Sequence, residues 1–367
     1  MSSCFKGGIS VSIFGESHGR AIGVVIDDLP AGEKLDMEQI LAFMARRAPR
    51  KDGTSTTRSE KDLPEILSGV YNDATTGTPL AAVIYNADQH SQDYGNISRI
   101  ARPAHADYTG YVRYSGANDP RGGGHFSGRI TAPLCFAGAV CAQILAHRGI
   151  TTGAHITRIR NVTDVPFDPV SVDAQTLEAV KARSFPVLTD GAEQEMRAVI
   201  NSARESLDSV GGIVECAAVG LPAGIGSPMM DGLENVISQL VFAIPAVKGI
   251  EFGNGFGCAE LFGSENNDPF TLDGEAVRTL TNNHGGILGG ISSGMPLIFR
   301  AAFKPTPSIA RPQQSVDFKA LTPEQLVIKG RHDPCVVVRA VPCVEAALNI
   351  ALISAMNGQG LGGMQNG

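Results

Sequence analysis

The 367-residue chain is 43% hydrophobic and 18% charged, the balance of a globular protein able to bury a core. Its net charge of −7 speaks against nucleic acid or an anionic membrane as a partner for the whole surface, so an anionic ligand must be met by locally gathered arginines. Seven cysteines (4, 135, 141, 216, 258, 335 and 343) form no C-x-x-C pair, which argues against structural disulfides or a metal knuckle and for a reducing, cytoplasmic location.

In chain order, MSSCFKGGISVSIFGESHG lacks a basic region followed by an apolar one, and no uninterrupted apolar run anywhere reaches about 18 residues, so neither a signal peptide nor a membrane span is expected. ISVSIF and IGVVID read as strands on either side of FGESHG (14–19). Gly15-Glu16-Ser17-His18-Gly19 matches the G-x-S-x-G elbow of serine hydrolases. That elbow needs a helix after the serine and earlier strands for the oxyanion donors. Here strand resumes, and only 16 residues precede Ser17. Ser17 and His18 are expected instead to handle protons or hydrogen bonds at a ligand; an inert turn histidine is the plain alternative. ARRAPRKDGTSTTR (45–58) then gathers Arg46, Arg47, Arg50, Lys51 and Arg58, as either a solvated loop or a basic lid over a polyanionic small molecule.

LAAVIYN is the next strand. RPAHAD (102–107) sets Arg102 and His105 in a non-helical turn, a fixed cation beside an imidazole that can protonate a leaving oxygen; a capping histidine would look the same. PRGGGHFSGR (120–129) opens a helix, where unpaired N–H donors and the helix dipole suit an anion, with Ser127 and Arg129 at the start. No G-K-[ST] follows, so it is not a Walker loop. RITAPLCFAGAVCAQIL (129–145) is apolar on most sides and reads as a buried helix. Residues 151–199 read as a connecting segment, amphipathic from 160 onward, before the strands GIVECAAV and PLIFRAAF. NNHGGILGGISSG (282–294) is too glycine-rich for a packed strand. In KPTPS (304–308) two prolines fix the backbone while Lys304, Thr306 and Ser308 offer donors toward a planar ligand. GRHDPC (330–335) places Arg331, His332 and Asp333 before a second apolar helix, RAVPCVEAALNIALI (339–353), and the tail MNGQGLGGMQNG is expected to fray.

The chain also repeats itself. AIGVVIDDLPAG (21–32) returns as GGIVECAAVGLPAG (211–224), the two LPAG segments lying 221 − 29 = 192 residues apart. ILSGV (66–70) and TTGTPL (75–80) return as ILGGI (287–291) and SSGMPL (292–297), and the two apolar helices echo each other. The constant order implies a duplication, with halves near 1–150 and 200–355. The expected fold is α+β, one domain over 1–367, with a central helix layer sandwiched between two antiparallel sheets and a site where the halves meet.

GESHGRAIGVVIDDLPAG, RPAHAD, the GGG-x-x-S-x-R loop, AVKGIEFG (246–253), KPTPS and GRHDPC resemble the chorismate synthase family, in that order and over nearly the full length. The resemblance implies a β-α-β sandwich of pseudo-twofold halves, a homotetramer, and anti-1,4-elimination of phosphate from 5-enolpyruvylshikimate 3-phosphate to give chorismate. It implies reduced FMN as cofactor without net redox change, and no metal. By position, His18 would protonate or tune the reduced flavin with Ser17 beside it, His105 would protonate the departing phosphate, and Asp333 would assist proton removal. Arg47, Arg102, Arg129 and Arg331, with Ser127, would clamp substrate anions. His125, Phe126, Ser127, Ala246, Gly289, Lys304, Pro305, Thr306, Pro307, Ser308 and Arg331 would contact the flavin. The chain departs from the family's usual GGG-Arg-Ser-Ser-Ala-Arg-Glu by reading GGG-His125-Phe126-Ser127-Gly128-Arg129-Ile130, and has Gly53 and Pro245 where many members have arginine and asparagine. Weaker flavin binding, falling further as pH rises, is the expectation, and a relative that binds without turnover is the second reading. The absence of an added reductase-like segment points to a separate flavin reductase rather than reduction by NADPH on this chain.

Overall fold

The structure, a computed structural model, describes residues 3–49, 62–86, 99–328 and 333–360. Every strand read from the sequence forms: Ser10–Gly15, Ala21–Asp27, Leu80–Tyr85, Gly212–Val219 and Leu297–Phe303. They belong to two five-stranded sheets that are antiparallel throughout. The first runs Cys4–Lys6, Ser10–Gly15, Ala21–Asp27, Leu80–Tyr85, Pro64–Ser68 across its width. The second runs Val162–Thr163, Thr151–Ile159, Gly212–Val219, Leu297–Phe303, Val247–Phe252. Thr151–Ile159 is thus an interior strand, which corrects its placement in a connecting segment: strand pairing on both sides overrides the loop-like flanks.

Helix Thr131–Ala146 packs on strands of the first sheet, helix Val337–Gly358 on the second, and the two helices pack on each other. Counted from Gly128, with its 3-10 lead-in, the first is long and apolar enough to cross a membrane, as is the second, although no unbroken apolar run reaches that length; 83% and 94% of their apolar windows are buried inside the protein. Their axes approach so closely that a Cβ on Gly138 would lie 2.2 Å from Cβ of Ala346, so only glycine fits there. Shorter helices flank them. Met37–Arg47, capped by Asp36 accepting from the Glu38 and Gln39 amides, buries Ile40, Met44 and Arg47 at helical spacing. Leu233–Phe242 packs on the second long helix. One apolar cluster runs through both sheets and these helices, with Ile22, Ile26, Leu80, Phe136, Ile144 and Phe299 among its fully buried members.

The chain visits the two sheets in the same sequence. Ala21–Asp27, a helix, the edge strand Pro64–Ser68, a hairpin of two-residue strands and then Leu80–Tyr85 between them parallel Gly212–Val219, a helix, Val247–Phe252, a hairpin and Leu297–Phe303. Hydrogen bonding corrects the register of one echo. Thr76 N–H donates to Gly69 O (3.0 Å) as Ser293 N–H donates to Gly286 O (2.9 Å), which aligns GVYNDATTGTPL (69–80) with GILGGISSGMPL (286–297). ILSGV therefore does not match ILGGI; the likeness of letters is offset from the likeness of structure. What remains of the connecting segment, including helices Ala174–Lys181 and Asp190–Glu205, contributes Phe167, Val172, Leu177 and Val180 to a small second core against Ala217 and Ile298. That cover explains why GIVECAAV is buried on both faces, whereas LAAVIY alternates.

Candidate functional site

The GESHG turn follows strand Ser10–Gly15 and leads straight into strand Ala21–Asp27, so no helix stands behind Ser17 and the nucleophile elbow is absent. Ser17 and His18 are 5% and 3% exposed. The turn docks on the glycine loop: Ser17 N–H donates to Gly124 O at 3.1 Å. Gly122, Gly123 and Gly124 all have positive φ (59°, 88°, 54°), and a Cβ on Gly122 would overlap the His18 ring at 2.1 Å. The loop is therefore a cradle that only glycine can line. His125 leaves it in the other direction, its Nδ1 2.7 Å from Gly15 O and its Nε2 2.6 Å from Ser3 Oγ.

On the far side of Gly123 lie His105 and Arg102; a Cβ there would meet the His105 ring at 3.2 Å and Arg102 at 3.5 Å. Asp107 organises both. Its carboxylate accepts from Arg102 Nε (2.8 Å), the Arg102 terminal nitrogen (2.7 Å) and the Arg102 backbone amide (2.9 Å), and lies 2.7 Å from His105 Nδ1. Nδ1 thus faces the carboxylate, while Nε2 lies 3.2 Å from the Arg102 terminal nitrogen. Burial pushes the Asp107 carboxyl up, but hydrogen bonds and charge from Arg102 and His105 outweigh it and hold it far below the usual carboxylate range. Within RPAHAD the only local sign of this role for Asp107 is its spacing of five residues from Arg102.

Arg47 ends helix Met37–Arg47 and Arg129 sits in the 3-10 turn Gly128–Ile130. Both are buried, and Asp62 ion-pairs with each of them. Asn86 ties this group to the first turn, accepting from Arg129 Nε (3.0 Å) and donating to Gly19 O (2.8 Å) and Glu16 O (3.1 Å). Arg339 joins it to Asp333: its Nε donates to Arg47 O at 3.1 Å and its terminal nitrogen to Asp333 at 2.7 Å. Asp62, Asn86 and Arg339 are pairings between distant segments, with no local signature in the sequence.

The second half supplies the opposite edge. Arg102 donates to Ser308 Oγ at 3.2 Å, Ser209 Oγ donates to Thr306 O (2.7 Å), and Val210 N–H donates to Pro334 O (2.9 Å), placing KPTPS beside the Asp333 segment. Lys304 donates from its backbone to Ala246 O (3.0 Å) and from Nζ to Ala104 O. Burial, then Lys248, lowers the Lys304 pKa. Both alanines have left-handed backbones, φ 77° at Ala246 and 61° at Ala104, a strain that clusters at functional sites. Thr306 Oγ1 and Ser17 Oγ are buried without a hydrogen-bond partner among the described residues. Pro305 is exposed and Pro307 half-buried on the same rim.

Three expected contacts are placed elsewhere. Gly289 forms the turn of the hairpin Ile287–Leu288/Ile291–Ser292 at the start of strand Leu297–Phe303, while Lys304 follows its end, so roughly 20 Å of strand separates them. Phe126 turns away onto Gly110 and Tyr114 (ring centroids 6.3 Å), because the glycine at 110 leaves room for the ring. Ser127 Oγ caps the 3-10 turn by accepting from Arg129 N–H at 3.3 Å. A small cavity of about 80 Å³ lined by Phe126, Tyr111, Phe318, Asp107 and Gly123 backs onto the loop, but none of Ser17, His18, His105 or Asp333 lines it. Arg331, His332, Arg50, Lys51, Gly53 and Arg58 lie outside the described residues.

The family model for chorismate synthase matches residues 9–356. The chain belongs to the chorismate synthase family. It is 44% identical over 368 residues to the chorismate synthase of Lancefieldella parvula, covering 97% of this chain and 96% of that one. It is 45% identical over 341 residues to the chorismate synthase of Thermococcus kodakarensis, covering 93% of each. A crystal structure of chorismate synthase superposes with a TM-score of 0.74 at 28% identity, covering 95% of this chain and 91% of the other.

Proposed function

We propose that the chain catalyses the anti-1,4-elimination of phosphate from 5-enolpyruvylshikimate 3-phosphate, giving chorismate as a carbon–oxygen lyase of the shikimate pathway. The observation that carries this is the gathering of three buried arginines, Arg47, Arg102 and Arg129, with two imidazoles, His18 and His105, on a protein of net charge −7. A substrate bearing one phosphate and two carboxylates matches that arrangement, since guanidinium forks bind both groups bidentately. His105 donates a proton from Nε2 to the departing phosphate while Asp107 holds Nδ1, and Arg102 beside it takes the developing charge. Asp333, oriented by Arg339, assists removal of the ring proton. Arg331 would add a further cation from its segment.

The same residues fit reduced FMN. Two buried hydroxyls without a hydrogen-bond partner among the described residues, on Ser17 and Thr306, and a cradle with no room for a Cβ are features that a bound planar anion would satisfy. Lys304 to Ser308 and Ala246 would hold it, and His18 would tune its protonation. When bound, the reduced flavin supplies an electron-rich ring that lends electron density to the substrate's allylic system and takes it back. The common strand order and the matched hairpin bonds support an internal duplication and a sheet–helix–sheet sandwich. A homotetramer is carried over from the family; unpaired cysteine usage supports a cytoplasmic location, and a separate flavin reductase would supply the reduced cofactor.

The test is an anaerobic assay with chemically reduced FMN that follows phosphate release and chorismate absorbance together. Both should appear in equal amounts. Phosphate without chorismate would mean a hydrolase, and neither product would mean a binder. His105→Ala should lower turnover roughly 10²–10⁴-fold as for a lost general acid; an unchanged rate would exclude that role.

A further inference from the structure

Asp62 stands where two arginines from distant parts of the chain converge. One carboxylate oxygen faces Arg47 and the other faces Arg129, and all three residues are 3–6% exposed. Neither arginine depends on Asp62 alone for its place. Arg47 Nε donates to Thr131 Oγ1 at 2.9 Å and a terminal nitrogen to Gly128 O at 3.3 Å, while Arg129 Nε donates to Asn86 Oδ1 at 3.0 Å. Those acceptors are neutral. What Asp62 adds, and they do not, is a negative charge shared between two guanidiniums in a water-poor setting, where a charge counts for more than at the surface. Burial raises the Asp62 carboxyl, yet Arg47, Arg129 and, more weakly, Arg339 outweigh it, so the group is an anion.

We propose that Asp62 is a positioning residue that acts through Arg47 and Arg129, setting the charge of the pair so that it grips the substrate's anion yet releases product. This rests on the reading that these arginines meet substrate anions. The carboxylate and the ligand compete for the same guanidinium charge, so removing the carboxylate tightens anion binding at the expense of release. Asp62 itself touches no reacting atom in this account.

The test uses the full chain and inorganic phosphate as probe in calorimetric titrations. Asp62→Asn should bind phosphate about tenfold more tightly than wild type (about 1.4 kcal/mol). Asp62→Glu, which keeps the charge, and the double variant Asp62→Asn/Arg129→Gln, which restores the balance, should both return near the wild-type value. In steady state Asp62→Asn should lower KM and kcat together, whereas a merely structural defect would raise KM. Phosphate binding in Asp62→Asn that is unchanged, weaker or undetectable overturns the proposal. A variant that folds in phosphate but not in chloride supports it; one that folds in neither overturns it, because the carboxylate would then be holding the fold. Failure of the chorismate assay leaves the phosphate comparison intact, so the two readings fail separately.

Discussion

Thr75 and Ser292 make the same four hydrogen bonds in opposite halves of the chain. Thr75 Oγ1 donates to Pro30 O (2.5 Å) and accepts from Glu33 N–H (3.0 Å), while its backbone pairs with Glu33 O (2.9 Å) and Gly32 N–H (2.7 Å). Ser292 Oγ donates to Pro222 O (2.6 Å) and accepts from Ile225 N–H (2.9 Å), with backbone bonds to Ile225 O (2.7 Å) and Gly224 N–H (2.9 Å). Both residues are 4% exposed, so deleting either hydroxyl removes the partner of a carbonyl and of an amide that are at least partly shielded from water. Thr75→Val and Ser292→Ala should each cost about 1–3 kcal/mol in urea unfolding, measured as a lower midpoint with unchanged slope. A neutral Ser292→Ala would show that the hydroxyl is not needed at the second hairpin.

Asp107 gives a pH dependence with a defined sign. Its folded pKa lies well below the ordinary carboxylate value near 3.9, so the stability it contributes is complete above that value and drains away as pH falls through the folded pKa. Asp107→Asn should be less stable than wild type at pH 7, and the difference should shrink steadily below about pH 4. Thermal unfolding of both proteins from pH 7 to 2.5 provides the check; a gap that stays constant would mean the carboxylate's charge is not what stabilises.

Ala104 holds a left-handed backbone where its carbonyl accepts from Lys304. A Cβ in that conformation costs roughly 1–2 kcal/mol, so Ala104→Gly should raise the thermal midpoint, offset in part by a more flexible unfolded chain. A lowered midpoint would mean that the strain at Ala104 is smaller than its dihedral implies.

His125 stands where the family's usual loop has arginine. Its Nδ1 faces Gly15 O and its Nε2 meets Ser3 Oγ, so both ring nitrogens are engaged by the chain itself, where an arginine would carry a fixed charge to a ligand. Titrating reduced FMN should show His125→Arg binding about fivefold more tightly than wild type, the size of one charge-assisted contact. Equal affinities would remove position 125 from flavin recognition.

Local pattern was enough for much of the molecule. Alternating ISVSIF and LAAVIYN became strands, and the two apolar runs became long buried helices, because period and hydrophobicity decide such elements before any partner is chosen. Motif residues with a short, stiff backbone were equally legible: Ser17 and His18 in a glycine turn, Arg102 with His105 three residues on, and Lys304 to Ser308 between prolines all meet around the glycine loop. Thr151–Ile159 was not legible, since its strand character depends on a neighbour 60 residues away.

Sequence by itself thus determined the strands, the buried helices, the repeated order of the halves and the residue types gathered at the loops. Only the tertiary structure decided that Asp62 serves both Arg47 and Arg129, that Asp107 aligns His105, that Arg339 reaches Asp333, and that Phe126 and Gly289 stand apart. The physical reason is that propensity and periodicity act over a few neighbouring residues, whereas a buried charge accepts whichever opposite charge the packing brings within about 3 Å, however far away it lies along the chain.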